Sequence, residues 1–261
     1  MTIEVPILLK AALVLGWFAL LFWAERFRPA APRPQIAEGW QRLGRNLGLW
    51  AITAAASPLI VVPISALAAA HGVAWRPAWW SGWAGLTLDL ALLDLFLYAW
   101  HRANHEIAPL WRFHEVHHLD RFLDTTTAGR FHLGEVILSA GARGLLIWAA
   151  SLPLASVIVY ETMVQVASLF HHSNLRLPGR LERWLSYLII TPSRHWVHHH
   201  RLMADTDSTY GTVLSLWDPL FGTTTPTQRL PRMEIGTAGE EEQTLPRLLL
   251  RPFRGRALPR P

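Results

Sequence analysis

Long apolar runs separated by short polar segments dominate this sequence. The runs are Val5–Ala24, Leu47–Ala70, Gly85–Trp100 and Val136–Phe170. A helix rises about 1.5 Å per residue, so about 20 apolar residues cross a hydrocarbon core of about 30 Å. The pattern predicts an all-α integral membrane protein with about four to five membrane-embedded helices.

Two of these runs allow more than one interpretation. Val5–Ala24 has the position of a signal peptide, but it lacks a strongly basic start and a small-residue cleavage site, so we expect a retained span. Val136–Phe170 holds about 35 residues around Pro153, enough for two short or tilted spans or for a re-entrant hairpin. Either form returns the chain to the side that it left.

The composition agrees with a membrane protein. Apolar types make up 51% of the chain, charged types 16%, and the mean hydropathy is +0.20. The absence of cysteine excludes disulfides and thiolate metal ligands. Of the 24 cationic residues all but Lys10 are arginine, and basic loops beside apolar runs indicate contact with anionic lipid, not with nucleic acid.

Histidine supplies the candidate chemistry. The residues are His101 and His105 in HRANH, His114, His117 and His118 in HEVHH, and His195, His198 and His199 in HWVHHH. Residues three or four apart share one face of a helix, so each cluster presents imidazoles toward a common point. Eight exceed the three or four that one ion takes, which favours two metals close together, iron above others. The alternative is a set of solvated or interfacial histidines.

The loop charges allow an independent test of this centre. The connector Glu25–Arg45 carries five arginines, which predicts that it lies in the cytoplasm and that the amino terminus lies outside. Alternating the spans from there brings all three histidine clusters to the cytoplasmic side. We therefore expect a cytoplasmic, histidine-rich helical cap that holds a di-metal site.

Six segments carry a family resemblance: DLFLYAWHRANH, RFHEVHH, TTAGRFHLGE, LFHHSN, TPSRHWVHHH and STYGTVLSLWDPLFGT. Together they resemble the fatty acid hydroxylase and sterol desaturase family of integral-membrane di-iron enzymes. The resemblance covers about residues 85–225 as the catalytic domain. Residues 1–84 are then N-terminal spans with their connector, and residues 226–261 a polar or membrane-surface tail.

The resemblance also implies site residues outside the three clusters. In LFHHSN it puts the ligand at His172 and a variable position at His171. His132, in the RxHxxE segment, is expected to be an additional ligand or a neighbour of the ligands. Thr209 stands where the family usually has asparagine in NYG, so a hydrogen bond from that amide is not expected here.

The positions of other polar residues also predict roles near the histidines. Asp94 lies two helical turns before His101, and an acid inside a span predicts a role in accepting the second N–H of a ligand imidazole, or else a contact between helices. Tyr98 shares that face one turn before His101. His71 is expected to have no metal role, and His200 to be solvated.

By resemblance, two irons use O2 and two electrons to hydroxylate or desaturate an unactivated C–H position of a lipid chain or sterol-like substrate. Zinc can substitute for iron in a purified protein. Electrons are expected from a separate ferredoxin, cytochrome or reductase, with a pterin as a further option, and the location is expected to be a bacterial inner membrane.

Two other classes of protein compete with this interpretation. A membrane metal-binding or metal-transport protein also carries histidines, but it is expected to place them near the middle of several spans. A membrane zinc hydrolase would use the HExxH formed by His114, Glu115 and His118, which leaves His117 and two further clusters unexplained.

Overall fold

The computed structural model describes residues 4–254, and within them the fold is helical, with isolated bridges but no named strand. Residues 1–3 and 255–261, the outer parts of the predicted first and last regions, lie outside the described residues. The helices are α1 Glu4–Phe27, α2 Ile36–Ala56, α3 Val61–Ala70, α4 Gly82–Glu106, α5 Ala108–His118, α6 Leu133–Ala149, α7 Leu154–His172, α8 Gly179–Leu185, α9 Pro192–His198, α10 Met203–Thr206, α11 Trp217–Phe221 and α12 Leu245–Leu250. Single 3-10 turns cover Ser57–Leu59, Thr125–Gly129 and Arg251–Phe253.

Four helical stretches are long and apolar enough to cross a membrane. They are Leu8–Phe27, Glu38–Ala70, Gly82–Glu106 and Leu154–His172. The predicted all-α membrane fold is therefore confirmed. The second stretch is divided into α2 and α3 at a 3-10 turn that contains Pro58, because proline lacks the amide hydrogen that a continuous α-helix needs.

The long apolar run around Pro153 forms two antiparallel helices, α6 and α7, joined by residues 150–153. α6 has 17 residues, which at the rise of an α-helix gives a length of about 25 Å. It is slightly shorter than the four stretches that could span a membrane. Its last turn reaches the loop between α3 and α4, where Val73 N–H donates to Trp148 C=O and the Trp75 indole donates to Ala149 C=O. Two helices that reach the end of the bundle opposite the histidines are thus favoured over a re-entrant hairpin.

The connector between α1 and α2 lies at the same end of the bundle as the histidines. Glu25 accepts hydrogen bonds from the backbone N–H groups of Thr125 and Asn174, at 3.0 and 2.9 Å. Asn174 in turn exchanges hydrogen bonds with the backbone of Ala31. We call this end of the bundle the histidine end and the opposite end the far end. Its predicted cytoplasmic orientation stays a prediction.

Charged side chains within the apolar helices are paired across helices. Glu161 of α7 contacts Lys10 of α1 at 2.9 Å and Arg143 of α6 at 3.2 Å. Asp89 of α4 accepts from Arg76 at 2.8 Å and from Ser156 at 2.6 Å near the far end. Such pairs lower the cost of placing charge in an apolar surrounding and fix the helices relative to one another.

Arg42 joins α2 to the segment that follows the second histidine cluster. Its buried guanidinium forms a two-point contact with Asp120 at 2.6 and 2.9 Å, and it contacts Asp124 at 2.7 Å and the Thr127 hydroxyl at 2.7 Å. Burial by itself would raise the pKa of Asp120, but the charges of Arg42 and Arg130 outweigh burial and lower it. This contact ties the second span to the cap.

We predict that Arg42→Gln destabilises the protein by about 3–5 kcal/mol, because it leaves the buried Asp120 carboxylate without its countercharge. Thermal unfolding in detergent measures the change. Arg28→Gln, at an exposed position of the same connector, is the matched control and should stay within about 0.5 kcal/mol of the wild type.

The contact between Arg42 and Asp120 also predicts how the stability difference between the wild type and Arg42→Gln depends on pH. An acid with a lowered pKa in the folded state stabilises the protein above its ordinary pKa of about 4 and loses that contribution as the pH falls. The gap between wild type and Arg42→Gln should therefore narrow below about pH 4. An equal gap at every pH would contradict the ionic role of this contact.

Candidate metal centre

The structure brings all nine histidines predicted as metal ligands into two buried groups. The first holds His101, His105, His114, His118 and His198, and the second holds His117, His172, His195 and His199. Within each group the potential ligand atoms lie within 4.8 Å of one another. Metal binding by these residues stays a prediction, and the geometry defines two adjoining places for it.

The helical repeat divides the second and third clusters between the two groups. On α5, His114 and His118 lie one turn apart and join the first group, while His117 between them faces the second. Around α9, His195 and His199 join the second group, and His198 joins the first. Each cluster therefore presents two imidazoles one turn apart toward a common point, as predicted. The third imidazole of the second and third clusters faces the other group, because adjacent residues on a helix point about 100° apart.

The outer ring nitrogen of six of these histidines is held by an acceptor. The Nδ1–H groups donate to backbone carbonyl oxygens or carboxylates, as follows: His101 to Tyr210 O at 2.8 Å, His117 to Arg130 O at 3.1 Å, His172 to Ser168 O at 2.8 Å, His198 to Ser208 O at 2.6 Å, His114 to Glu135 at 2.8 Å and His105 to Asp207 at 3.3 Å. An acceptor at Nδ1 fixes the tautomer and leaves the Nε2 lone pair free to bind a metal.

The inner nitrogens lack the partners that buried polar atoms normally have. Among the described residues, the Nε2 atoms of His105, His114, His118 and His198 have no hydrogen-bond partner. The Nε2 atoms of His117 and His172 lie 3.0 Å apart although both residues carry their hydrogen on Nδ1, so two lone pairs face each other. A metal cation between such atoms removes both problems.

Burial and mutual repulsion keep the histidines of the cap neutral. Desolvation and neighbouring imidazoles hold the pKa values of His117, His118, His195 and His199 well below the ordinary value. Burial likewise lowers the pKa of His198 to about 3. The neutral imidazole is the form that binds metal, and donor sets made of nitrogen alone suit iron, zinc, copper or nickel. The residues present therefore fit the two irons implied by the resemblance.

The predicted hydrogen bond from a ligand imidazole to Asp94 is not formed. Asp94 instead accepts from the Tyr160 hydroxyl at 2.8 Å and from the Trp217 indole at 2.8 Å, with Leu214 N–H at 3.2 Å. Two helical turns separate Asp94 from His101 by about 10 Å along the axis, too far for direct contact. Its carboxylate fixes the loop after α10 against α4 and α7.

Tyr98 also acts through this loop. Its hydroxyl pairs with the Thr223 hydroxyl at 2.9 Å, and its ring stacks on Phe221 with centroids 5.3 Å apart. Its ring edge also meets Tyr210, whose carbonyl holds His101. Tyr98 thus packs beside the first group without hydrogen bonding to a histidine.

Asp218 has a positioning role that the sequence did not reveal. Its carboxylate accepts from the backbone N–H groups of Tyr210 and Gly211, at 2.7 and 3.0 Å. It thereby fixes the turn whose carbonyl oxygens, on Ser208 and Tyr210, hold His198 and His101. A Cβ atom at Gly211 would lie 2.9 Å from the Asp218 carboxylate, so only glycine fits there.

Thr209 has a backbone conformation that explains why asparagine is usual at this position. Its φ is +54°, in the left-handed region that asparagine tolerates and that a β-branched residue disfavours. Its N–H donates to Thr223 C=O at 2.7 Å, which keeps the turn closed. The loop that holds two histidines therefore carries local strain, of order 1–3 kcal/mol.

The remaining histidines lie outside both groups. His132 accepts from Gly134 N–H through Nδ1 and donates to Leu249 C=O through Nε2, so it caps α6 instead of facing either group. His171 is buried against the ring of His195. His200 donates to Asp205 at 2.7 Å and is not simply solvated. His71 is exposed at the end of α3, at the far end of the bundle.

The segment before residue 254, the described part of the predicted C-terminal tail, braces the histidine clusters. Arg251 forms a two-point contact with Glu115 of the second cluster, at 2.9 and 3.0 Å. Glu242 does the same with Arg130, at 2.8 and 3.2 Å. Leu248 is fully buried in a cluster with residues of α2 and α5. Arg251 and Leu248 therefore belong to the cap, because the charge of the one and the apolar side chain of the other find buried partners there.

These observations define a class: an all-helical membrane protein whose helix ends hold two adjoining groups of histidine. The sequence profile described as "Fatty acid hydroxylase" matches residues 86–223, more than half of the chain. The chain therefore belongs to the fatty acid hydroxylase family, which confirms the predicted resemblance. No solved structure matches it.

Several characterised proteins are similar to this chain. "Ornithine lipid hydroxylase OlsE" of Rhizobium tropici is 27% identical over 197 residues, covering 75% of this chain and 58% of that protein. "Alkylglycerol monooxygenase" of Danio rerio is 32% identical over 160 residues, covering 59% of this chain and 31% of that protein. The human alkylglycerol monooxygenase is 32% identical over 152 residues, covering 56% and 31%. The chain thus matches little more than half of the first of these proteins and about a third of the others.

We predict about two metal ions per chain, one for each histidine group. His105→Ala, in the first group, and His195→Ala, in the second, should each reduce the metal content by about one ion. Elemental analysis of the purified protein measures this. His71→Ala, at the far end, is the control and should retain both ions. A wild type that holds a single ion, lost in both variants, would contradict two separate sites.

Proposed function

We propose that this protein is a membrane-bound, di-iron, O2-dependent monooxygenase that hydroxylates an unactivated C–H position of a lipid chain. The observation that carries the proposal is the pair of adjoining histidine groups at one end of the apolar helices. An all-nitrogen site for two metals beside a membrane suits an apolar substrate and oxygen chemistry.

Two bound irons would supply the reaction with O2 activation and electron storage. The protein's own residues do the positioning. Glu135, Asp207 and the carbonyl oxygens of Arg130, Ser208 and Tyr210 fix the imidazole rings before any metal arrives, so little rearrangement is needed on binding. Complete burial of His105, His198 and His199 keeps bulk water from the centre, which protects a reactive oxidant from side reactions.

A lipid substrate is supported by two independent features. The chain has four helices able to cross a membrane, and α4 and α7 end directly in ligand histidines, so the centre lies close to the lipid phase. The relatives are named for an ornithine lipid and for alkylglycerols, both of which are lipids with apolar chains. Their names, a hydroxylase and a monooxygenase, favour hydroxylation over desaturation here.

Electrons come from a separate carrier in this proposal, a ferredoxin, a cytochrome or a reductase on the cytoplasmic side. The argument for that side is the arginine-rich connector, which contacts the cap through Glu25 and Arg42. The proposed location is a bacterial inner membrane with the amino terminus outside.

The alternative, a membrane metal-binding or metal-transport protein, fits the same ligands less well. Transport sites lie near the middle of the bilayer between broken helices and alternate between two openings. Here both groups lie at one end, in a cap closed by buried hydrogen bonds. At the far end, Asp89 is already bound to Arg76 and Ser156. No histidine among the described residues lies between the two ends of the bundle.

The test compares lipid extracts from a bacterial host that expresses the wild type or the double variant His117→Ala, His118→Ala. We expect lipids heavier by one oxygen atom in the wild type alone, because the variant removes one ligand from each group. High-resolution mass spectrometry identifies the lipid class and the position. His71→Ala should behave as the wild type.

The supply of electrons needs its own control. Membranes that contain the protein are therefore also assayed with an added reduced ferredoxin and reductase. Lipids lighter by two hydrogens would replace hydroxylation with desaturation. Unchanged lipids in an iron-loaded, electron-supplied preparation would overturn the proposal and favour the metal-binding alternative.

A further inference from the structure

A cavity of about 560 Å³ lies at the histidine end, outside the two histidine groups. The connector before α2, the first half of α2, residues 121–122, Trp196, Arg201 and residues 231–242 surround it. None of the nine candidate ligands lines it. Its volume is that of a small-molecule site, which usually measures about 300–1,000 Å³.

The lining combines arginines with apolar walls. Six arginines line the cavity: Arg33, Arg42, Arg45, Arg121, Arg201 and Arg232. Phe122 and Trp196 meet edge to face in its wall, with Met233 and Ile235 beside them. A ligand with a flat ring and an anionic group matches these two kinds of surface.

Part of this positive charge is available to a ligand. Arg42 is occupied by Asp120 and Asp124, and Arg201 by Glu234. The acids Glu240 and Glu242 at the cavity are held by Arg251 and Arg130, and Glu242 also pairs with Arg45 at 3.5 Å. The exposed Glu38 also lines the cavity. Arg33 and Arg232, both exposed, form no ion pair with any residue between 4 and 254.

Two of the lining residues carry buried polar atoms that lack a partner among the described residues. They are Trp196 Nε1 and Thr237 Oγ1. Trp196 is 1% exposed, so its indole N–H is withheld from solvent. Burying a donor without an acceptor is costly, and two such atoms around one cavity indicate that a ligand supplies acceptors.

We propose that this cavity binds a phosphorylated small molecule with a planar ring, of about the size of a mononucleotide. Guanidinium groups match phosphate oxygens in two-point geometry, and the unpartnered N–H group of Trp196 calls for a further acceptor. The partly exposed side chains of Phe122 and Met233 form the apolar wall for the ring. The cavity volume holds one such molecule and excludes a folded protein domain.

The cavity adjoins the histidine centre through Trp196. This residue lies in α9, next to His195 of the second group. Across the cavity, Gly236 N–H donates to the carbonyl of His199 at 3.1 Å. A bound ligand would therefore contact the element that carries the third histidine cluster. The site does not depend on the proposed hydroxylase activity.

Binding is tested with the full chain in detergent, using flavin mononucleotide as the probe and its fluorescence as the signal. We expect saturable binding of one molecule per chain. Riboflavin, which has the same ring without the phosphate, should bind about tenfold more weakly, because the charged hydrogen bonds to arginine are missing. Inorganic phosphate should compete weakly.

Two variants assign the binding to this cavity. Arg232→Gln, at the exposed rim, and Trp196→Phe, which keeps an aromatic ring and removes the N–H, should each weaken the binding of flavin mononucleotide severalfold. Arg247→Gln is the matched control, because Arg247 is exposed on α12 and does not line the cavity.

Any of three results would overturn the assignment. The first is the absence of saturable flavin mononucleotide binding by the full chain when its unfolding temperature shows that it is folded. The second is equal binding of flavin mononucleotide and riboflavin. The third is binding of phosphatidic acid in nanodiscs without binding of flavin mononucleotide, which would make the cavity a lipid headgroup site.

Discussion

Bare imidazole nitrogens that face one another are the constraint on which the histidine end depends. His117 and His172 both give their ring hydrogen to a backbone carbonyl, so their inner nitrogens, 3.0 Å apart, can neither share a hydrogen nor reach water. Such an arrangement is unfavourable until a cation lies between the lone pairs. The outer acceptors come from α6, α7 and the two loops after α5 and α10, so several separate parts of the chain must converge before the centre exists. The long apolar helices provide the rigid frame that makes this convergence reproducible.

The fold and the ligands were largely predictable because their signals are periodic and compositional. Apolar length predicts spans, and histidines three or four apart predict a shared face, so four spanning stretches and the eight clustered histidines follow from these patterns, whereas His172 is implied only by the family resemblance. The partners of those histidines were harder to predict. Asp94 lies on the correct face of α4, yet its carboxylate is used by Tyr160 and Trp217 of distant segments. Asp218 accepts a hydrogen bond from the backbone N–H of Tyr210, eight residues earlier, in a loop whose sequence has no periodic pattern. Hydrogen bonds to a backbone carbonyl leave no residue signature at all, since any side chain can accompany one.

Charges placed within the apolar helices have a common structural role. Lys10, Arg143 and Glu161 link α1, α6 and α7, while Asp89 holds the loop after α3 to α4 and α7. Each cluster lies toward the far end, away from the histidines. At the opposite end, Glu25 and Arg42 anchor the connector to the cap. Directional polar contacts therefore fix the helices at both ends of the bundle. Helix packing in lipid alone would allow the helices to slide past one another.

The segment between residues 234 and 253 lies beyond the stretch that matches the family, yet it supplies partners to groups inside that stretch. Glu242 meets Arg130, Arg251 meets Glu115, and Gly236 binds the carbonyl of His199. The boundary that sequence comparison draws at residue 223 is therefore not a boundary of folding. Grafting the matched segment alone onto another scaffold would carry the nine histidines but leave Glu115 of the second cluster and Arg130 without their countercharges.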